Sequence, residues 1–249
     1  MDKYIAIFGS TGRIGTEVCK LLKKEGIHVI GIGRSINSSC SSSIKADFIN
    51  YESLFQELKE LTAINISAVV FCHRYRIKGN KEPSEDFTEC MNIEMNPFLA
   101  IKQYLDSSNT FTGPINIVTV TSNASRRWAI DVDYAYHIIK SAQLTAGLAL
   151  GALENDRSTF SNAISIGEVV DNRIGTHSNY HETLYKNISS CLQIQSMTNI
   201  NNIARAVLIL CSADKLAMNG QILNIDSGLS SITQESIIRI NSRKSLGES

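Results

Sequence analysis

A phenol and an ammonium group are placed one helical turn apart near the middle of the chain. Tyr136 and Lys140 are four residues apart in the segment Tyr-His-Ile-Ile-Lys, which puts both side chains on one face of a helix. A nearby cation favours the phenolate and lowers the pKa of a tyrosine from its reference value of about 10. Such a tyrosine can give a proton to a carbonyl oxygen or take one from an alcohol. The pair therefore predicts general acid/base chemistry.

The position of this pair matters, because chance matches to its spacing are frequent. The apolar run Ile115–Thr121 predicts a buried strand that is followed directly by Ser122, and the helix that carries the pair is predicted over Asp133–Leu153. In open α/β sheets ligands bind at the carboxyl ends of the strands. We therefore expect Tyr136 and Lys140 to lie at such an edge.

Glycines recur where the first predicted strand meets the first predicted helix, in the turn Gly9-Ser-Thr-Gly12-Arg-Ile-Gly15. Glycines let a backbone approach a pyrophosphate closely, and the N-terminus of a helix adds unpaired N–H groups and a favourable dipole. The alternative is an ordinary tight turn. Because the turn lies at the first strand–helix junction of an alternating chain, we expect it to bind a dinucleotide through Gly9, Thr11, Gly12, Arg13, Ile14 and Gly15.

The end of the second predicted strand distinguishes the two nicotinamide cofactors. Sites that prefer NAD place an acidic side chain there to bond the ribose 2′-hydroxyl, but this stretch reads Gly31-Ile-Gly33-Arg34-Ser35. Arg34 can hold a 2′-phosphate, Ser35 can add a hydroxyl, and Arg13 is close in the glycine turn. The alternative is that Arg34 is a solvated residue at the end of a strand. The prediction is NADP(H) rather than NAD(H).

Short apolar runs alternate with amphipathic stretches, which predicts a doubly wound parallel sheet of seven strands with helices on both faces. The strands are predicted over Tyr4–Phe8, Ile27–Ile32, Ile44–Ala46, Ser67–Cys72, Ile115–Thr121, Phe160–Ile166 and Gln221–Ile225. The helices are predicted over Ile14–Lys24, Leu54–Leu61, Ser84–Leu105, Asp133–Leu153 and Asn201–Ser212. We expect Ser84 to cap its helix and Pro97 to kink or break it.

The same pattern predicts a single domain over residues 1–234. The polar segment 172–200 is expected to be a lid or a flexible segment beside the substrate. The polar and basic residues 235–249 are expected to form a tail that is frayed or reaches a neighbouring subunit.

Composition excludes several classes of function. Lysine plus arginine equals aspartate plus glutamate at 24 each, so no net charge draws the chain onto nucleic acid or membrane. No apolar run approaches the roughly 18 residues that a membrane span needs, and the N-terminus does not resemble a signal peptide. The six scattered cysteines form no metal-binding pattern and indicate reduced thiols. We expect a cytoplasmic protein that acts on a small molecule and holds no metal.

Two further segments complete a family pattern. Ala46-Asp47-Phe48 follows the third strand, and Gly220-Gln-Ile-Leu-Asn-Ile-Asp-Ser-Gly228 ends the domain. Together with the glycine turn and the Tyr136–Lys140 pair, they occur in the order typical of the short-chain dehydrogenase/reductase family. The chain resembles that family over almost its full length.

The resemblance implies a Rossmann-type fold and an oxidoreductase. It implies that Tyr136 is the general acid/base, that Lys140 lowers its pKa and binds the nicotinamide ribose, and that Ser122 bonds the substrate oxygen. It also implies cofactor contacts from Asp47, Phe48 and Gly167. A homodimer or homotetramer built on the two long helices is a further implication.

The sequence departs from the family pattern near the catalytic residues. Ser122 is about one residue farther from Tyr136 than usual, so Asn123 or Ser125 could take its role. The asparagine that relays protons to the lysine falls near Ile93, which leaves Asn92 or Asn96 as candidates.

Cations and one tryptophan follow the fourth and fifth strands. Phe71-Cys72-His73-Arg74 replaces the asparagine-asparagine-alanine-glycine of the family pattern. We hypothesise an anion-binding wall for a polar or anionic substrate, composed of His73, Arg74, Arg76, Arg126, Arg127 and Trp128. The alternative is that the arginines are solvated or ion-paired.

These observations predict an NADP(H)-dependent oxidoreductase that interconverts a carbonyl and a secondary alcohol. The alternative is a catalytically inactive NADP-binding sensor or scaffold on the same fold, since fold alone does not establish activity. A non-redox step driven by Tyr136, such as dehydration or epimerisation, also stays open.

Overall fold

The computed structural model describes residues 3–59, 61, 64–75, 83–107, 113–129, 132–153, 159–169 and 198–245. The predicted substrate segment lies outside these residues except for its last three, and so does Arg76. The last four residues of the chain are also outside them.

A parallel sheet of seven strands forms the centre of the molecule, in the order β3-β2-β1-β4-β5-β6-β7. The strands are β1 (Tyr4–Phe8), β2 (His28–Gly33), β3 (Ser42–Lys45), β4 (Ile66–Phe71), β5 (Ile115–Ser122), β6 (Thr159–Ile166) and β7 (Ile222–Ile225). Strand order runs one way from β1 to β3 and the other way from β4 to β7, which is the doubly wound Rossmann-type arrangement. The predicted fold is confirmed.

The described helices pack on the two faces of this sheet. They are α1 (Arg13–Lys24), α2 (Tyr51–Leu58), α3 (Pro83–Ser107), α4 (Tyr134–Leu153), α5 (Ile200–Leu210) and α6 (Gln234–Ser245). Helix α3 already includes Ser84 and runs through Pro97 without a break. The predicted cap at Ser84 and the predicted break at Pro97 were therefore wrong, while the kink that was the alternative to a break stays a prediction. The expected tail is helical as far as Ser245. Asp133 caps α4, because its carboxylate accepts a hydrogen bond from the Ala135 N–H at 2.7 Å.

Each face of the sheet has its own hydrophobic core. Phe8 points to the side covered by α2, α3 and α4, where it packs with Leu54 and Ile101. Ile7 points to the side covered by α1 and α5, where it packs with Val18. Strands buried on both faces are made mostly of apolar residues, which explains the apolar runs of β1 and β4 in the sequence.

The change in strand direction opens a crevice between β1 and β4. The two strands are paired in register from Ile5 with Ala68 to Phe8 with Phe71. The turn after β1 and the segment after β4 therefore leave the sheet side by side. In such folds this is where ligands bind. Among the described helices, none is long and apolar enough to cross a membrane.

Candidate active site

One large cavity lies at the carboxyl ends of the central strands. Its volume is about 1600 Å³, which exceeds the roughly 300–1,000 Å³ of a typical small-ligand pocket. It extends from the glycine turn to Tyr136 and Ser122. The predicted site residues that line it are Gly9, Thr11, Gly12, Arg13, Ile14, Arg34, Asp47, Phe48, His73, Arg74, Ser122, Arg127, Trp128, Tyr136 and Gly167.

The glycine turn is tightly folded against its surroundings. Gly9 has a φ of +78°, and a Cβ there would lie 2.6 Å from the Cα of His73. A Cβ on Gly15 would lie 2.2 Å from the carbonyl oxygen of Gly9, so Gly15 packs behind the turn and does not line the cavity. Gly12 precedes the first residue of α1 and offers no side-chain cap. The start of α1 therefore lies at the cavity wall without a side-chain hydrogen bond from its N-cap residue.

The end of β2 brings Arg34 to the cavity but not Ser35. Ser35 is exposed and is not among the described lining residues. The loop between them and β3 is fastened by Asn37, which is buried and donates a hydrogen bond to the carbonyl oxygen of Ser10 at 2.6 Å. Sequence analysis missed Asn37. This contact ties the Arg34 loop directly to the glycine turn.

The segment after β3 supplies one polar and one apolar wall residue. Asp47 is exposed, and its carboxylate accepts a hydrogen bond from the Ile49 N–H at 3.3 Å. Phe48 is buried, with its ring centroid 5.5 Å from that of His73. Asn96 donates to the carbonyl oxygens of Phe48 and Ile49 at 2.8 and 3.1 Å. Asn96 therefore holds this segment in place and does not contact Lys140.

Helix α4 presents Tyr136 to the cavity. Tyr136 is half-buried, and the Nζ atom of Lys140 lies 5.6 Å from the centre of its ring. Lys140 itself is 4% exposed and is not among the described residues that line the cavity. Its Nζ donates to Gln143 Oε1 at 2.7 Å and lies 3.6 Å from Glu94 Oε2. The two residues share a helix face, but the ammonium group is turned toward α3.

Glu94 is the partner that sequence analysis missed. It follows Ile93, where the family pattern has its asparagine, and it is 1% exposed. Its carboxylate accepts hydrogen bonds from the Tyr75 N–H at 2.7 Å and from the side-chain amide of Gln143. Asn92, one of the two predicted relay residues, is exposed and lies outside the described cavity lining. The signal available in the sequence was a glutamate between two apolar residues, Ile93 and Met95, of a predicted helix.

His73 occupies the place where the family pattern has a small residue. Burial lowers its pKa, although the Glu94 carboxylate opposes this shift. Its Nε2 lies 3.0 Å from the Glu94 carbonyl oxygen, and a carbonyl can only accept, so Nε2 carries the proton. Its Nδ1 has no hydrogen-bond partner among the described residues. His73 is therefore a buried neutral ring wedged among Phe48, Phe71 and Phe98.

Ser122 and Asn123 have different surroundings. The Ser122 hydroxyl accepts a hydrogen bond from the Ala124 N–H at 3.2 Å, which leaves its own proton free to donate. The Asn123 side chain donates to Asp226 Oδ2 at 2.8 Å and accepts from the Ser165 hydroxyl at 2.7 Å. Ser125 is buried and is not among the lining residues. Of the three candidates, Ser122 and Asn123 line the cavity, and Ser122 alone presents a hydroxyl group there.

The C-terminal family segment supports the loop after β6. Burial disfavours the charge on Asp226, but hydrogen bonds from Ser230, Asn123 and Gly228 outweigh it and lower the pKa of the carboxyl group. A Cβ on Gly167 would lie 2.7 Å from the Cβ of Asp226. Glycine at 167 is therefore required by this packing, and it also lines the cavity.

The predicted anion-binding wall is only partly assembled. The Cζ atom of Arg74 lies 5.2 Å from the centre of the Tyr136 ring, and Arg127 lines the cavity while donating to the Ser230 carbonyl oxygen. Trp128 is 70% exposed at the rim. Arg126 bonds to Asn224 and is not among the described residues that line the cavity, so the structure does not bring it to the wall. Its side chain is drawn to β7 by that amide.

These residues fit a dinucleotide. The glycine turn admits a close approach of backbone to ligand, the start of α1 offers N–H groups, and Arg13 and Arg34 add positive charge at the same wall. Pyrophosphates and phosphates bind to such arrangements. The remaining volume extends to Ser122 and Tyr136 and leaves room for a second small molecule.

A family model described as enoyl-(acyl carrier protein) reductase matches residues 10–230. A comparison with curated protein sequences finds no match. Among solved structures, aldohexose dehydrogenase from Thermoplasma acidophilum is similar at 17% identity and a TM-score of 0.77, over 94% of this chain and 96% of that one.

Two other solved structures differ in their cofactors. One is 3-oxoacyl-[acyl-carrier protein] reductase from Brucella melitensis in complex with NAD, at 14% identity, a TM-score of 0.78 and coverage of 94% and 99%. The other is NADPH-dependent 3-quinuclidinone reductase from Rhodotorula rubra, at 17% identity, a TM-score of 0.76 and coverage of 92% of both chains. The match to the family model over most of the chain, on this fold and around this cavity, shows that the protein belongs to the short-chain dehydrogenase/reductase family and is an NAD(P)-dependent oxidoreductase.

Proposed function

We propose that the protein is an NADP(H)-dependent oxidoreductase that interconverts a carbonyl and a secondary alcohol. One observation carries this proposal. A single cavity joins the phosphate-binding features at Gly12 and Arg34 to the proton-transferring groups Tyr136 and Ser122. The family assignment favours an enzyme over the inactive sensor that the sequence left open as an alternative.

The preference for NADP(H) rests on charge. Arg34 at the end of β2 lines the cavity, and no carboxylate stands at the positions that NAD-preferring sites use for the ribose 2′-hydroxyl. A guanidinium group pairs with a phosphate through two parallel hydrogen bonds, and such charge-assisted bonds are the strong ones. Arg13 adds a second guanidinium group to the same cavity. The additional phosphate of NADP(H) therefore has a partner here.

Two side chains handle the substrate oxygen. Ser122 accepts a bond from the Ala124 N–H, so its hydroxyl proton is directed to the substrate. Tyr136 donates its proton to the carbonyl oxygen in reduction and removes a proton from the alcohol in oxidation. When bound, the nicotinamide supplies or accepts the hydride.

The substrate is a polar or anionic small molecule in this proposal. Arg74 and Arg127 both line the cavity, Arg74 lies beside the Tyr136 ring, and Trp128 at the rim presents an exposed aromatic surface. Guanidinium groups at a binding wall favour carboxylates and phosphates. Arg126, which is turned away to Asn224, has no part in this recognition and provides a control.

The test compares NADPH and NADH binding by fluorescence for the wild type, Arg34→Ala and the control Arg126→Ala. Loss of a charge-assisted bond of about 1.5–3 kcal/mol weakens NADPH binding by roughly 10- to 150-fold, and we expect NADH binding to stay unchanged. Equal binding of both cofactors by the wild type would refute the preference. A panel of neutral and anionic carbonyls then tests substrate charge, and an unchanged KM for anions in Arg74→Ala would contradict the anionic substrate.

A further inference from the structure

Two cysteine sulfurs are in contact beside the glycine turn. The Sγ atom of Cys19 on α1 lies 3.3 Å from the Sγ atom of Cys40, in the loop between β2 and β3, and both are free thiols. The two residues are 21 positions apart in the chain, so the fold brings them together. An S–S bond is about 2.0 Å long, so the sulfurs need to approach each other by about 1.3 Å to form one. A small movement of the loop is therefore sufficient.

The absence of a side chain at Gly31 makes room for this pair. A Cβ at Gly31 would lie 2.7 Å from Cys40 Sγ and 2.7 Å from the hydroxyl oxygen of Ser10. Gly31 is in β2, and Ser10 belongs to the glycine turn. The Cys40 thiol is therefore packed between the second strand and the turn that we propose binds the cofactor.

The two thiols are chemically different. Cys19 is buried at 0% exposure, whereas Cys40 is half-buried and can be reached from solvent. The hydrogen bond with Cys19 lowers the pKa of the Cys40 thiol; burial opposes this shift, and the charge of Lys23 supports it. Lys23 reaches the same loop, where its Nζ donates to the Ser38 carbonyl oxygen at 3.5 Å. Because the thiolate is the reactive form, Cys40 is the thiol that meets an oxidant first.

The loop that carries Cys40 also carries Arg34. The Cys40 N–H donates to the Asn37 carbonyl oxygen at 3.0 Å, and the Asn37 side chain donates to the Ser10 carbonyl oxygen at 2.6 Å. Arg34 begins this loop and lines the cavity. A displacement of Cys40 toward α1 is therefore passed to Asn37, and through it to the position of Arg34 and the glycine turn.

We propose that Cys19 and Cys40 are a modification site that forms a reversible disulfide, and that this disulfide weakens NADP(H) binding by displacing the loop that carries Arg34. The oxidant is a hydroperoxide, and the reductant is a dithiol. The effect on NADP(H) rests on the proposed role of Arg34, whereas formation of the disulfide does not.

The reaction has two steps. The Cys40 thiolate attacks one oxygen of hydrogen peroxide, the O–O bond breaks, and the hydroxide that leaves takes up the Cys40 proton as water. Cys40 is then a sulfenic acid. The Cys19 sulfur attacks the Cys40 sulfur, the S–O bond breaks, and the hydroxide that leaves takes up the Cys19 proton as a second water. Two thiols are thus oxidised and one peroxide is reduced, and exchange with a dithiol restores both thiols.

The first test maps the disulfide in the wild type after treatment with hydrogen peroxide, blocking with N-ethylmaleimide and digestion with trypsin. Cys19 and Cys40 lie on separate tryptic peptides, residues 14–20 and 35–45. We expect mass spectrometry to find these peptides linked, and dithiothreitol to separate them. In Cys19→Ala the sulfenic acid has no partner, so dimedone should label residues 35–45. The control Cys211→Ala removes a buried thiol outside the pair and should keep the link.

The second test measures NADPH binding by the reduced and the oxidised wild type. We expect the Kd for NADPH to rise by about 10-fold or more on oxidation, which corresponds to the loss of one charge-assisted hydrogen bond. Dithiothreitol should restore the original Kd. Cys40→Ser, a change at a half-buried position, should bind NADPH equally well before and after peroxide treatment.

Two results would overturn the inference. One is a peptide map without the link between residues 14–20 and 35–45, including a map in which Cys19 is joined to Cys72 instead. The other is a fully linked protein whose Kd for NADPH is unchanged. Failure of the proposed cofactor preference is recognised separately, because Arg34→Ala would then bind NADPH as the wild type does, while the peptide map would be unaffected.

Discussion

Replacing the buried Glu94 with alanine should lower the free energy of unfolding far more than replacing a glutamate of an exposed ion pair would. The change deletes the carboxylate beside the buried Lys140 ammonium, and it also deprives Tyr75 N–H and Gln143 Nε2 of their acceptor. An uncompensated charge and unsatisfied donors are then left in a region from which water is excluded. The decrease in the free energy of unfolding is therefore large because these groups are buried.

The magnitude follows from the two exposures of the pair, 5% for Lys140 and 1% for Glu94. Breaking a buried ion pair by removing one partner costs about 3–5 kcal/mol. For a chain of this size each kcal/mol lowers the melting temperature by about 2–4 °C, so the expected decrease is roughly 6–20 °C. The control is Glu17→Ala, which breaks the exposed pair with Lys20 at 3.4 Å. Exposed pairs of this kind contribute about 0–1 kcal/mol.

The assay is equilibrium unfolding in urea, followed by circular dichroism, for the wild type and both alanine variants. Thermal melts of the same proteins provide the second measure. A loss below about 1 kcal/mol for Glu94→Ala, similar to that of Glu17→Ala, would refute the reasoning. It would mean that the Lys140 ammonium finds water or another partner and is not held by the pair.

Two further predictions concern packing and pH. Gly15→Ala places a Cβ 2.2 Å from the Gly9 carbonyl oxygen. We therefore expect the free energy of unfolding to fall by about 1–3 kcal/mol and NADPH binding to weaken. The control Gly113→Ala has no described atom within 4 Å of the added Cβ and should change neither quantity in the same assays. Because the folded-state pKa of His73 lies below its ordinary value of 6.5, the unfolded chain binds this proton first. The contribution of neutral His73 to the free energy of unfolding should be fully present above pH 6.5 and should decline as the pH falls toward the folded-state pKa. In urea unfolding, the free energy should therefore depend less on pH in His73→Gln than in the exposed control His28→Gln.

The fold was predictable because its signals are local and repeated. Apolar runs buried on both faces, such as Tyr4–Phe8, were recognisable as strands without knowledge of their partners. The glycine turn and the Tyr136–Lys140 spacing were predictable for the same reason, since each depends on a few neighbouring residues. Helix α3 departs from its local signal at Pro97, where packing of Phe98 and Ile101 in the core outweighs the preference of proline for a helix end.

The details of the site were less predictable because they depend on contacts between distant segments. Glu94 and Lys140 are brought together by the packing of α3 on α4, and the sequence of neither helix indicates which residue of the other it contacts. Arg126 and Arg127 are adjacent in sequence, yet one bonds to Asn224 and the other lines the cavity. The hydrogen-bond partner of each arginine determines whether it faces the cavity, and the local sequence does not reveal that partner.

The central claim is that Tyr136 transfers a proton in an NADP(H)-dependent reduction. Its most direct test is NADPH oxidation across a panel of carbonyl compounds by the wild type and by Tyr136→Phe, together with NADPH binding by both proteins. We predict that at least one carbonyl is reduced, that kcat falls by about 10²- to 10⁴-fold in Tyr136→Phe, and that the Kd for NADPH is unchanged. A substrate reduced equally well by both proteins would contradict the claim.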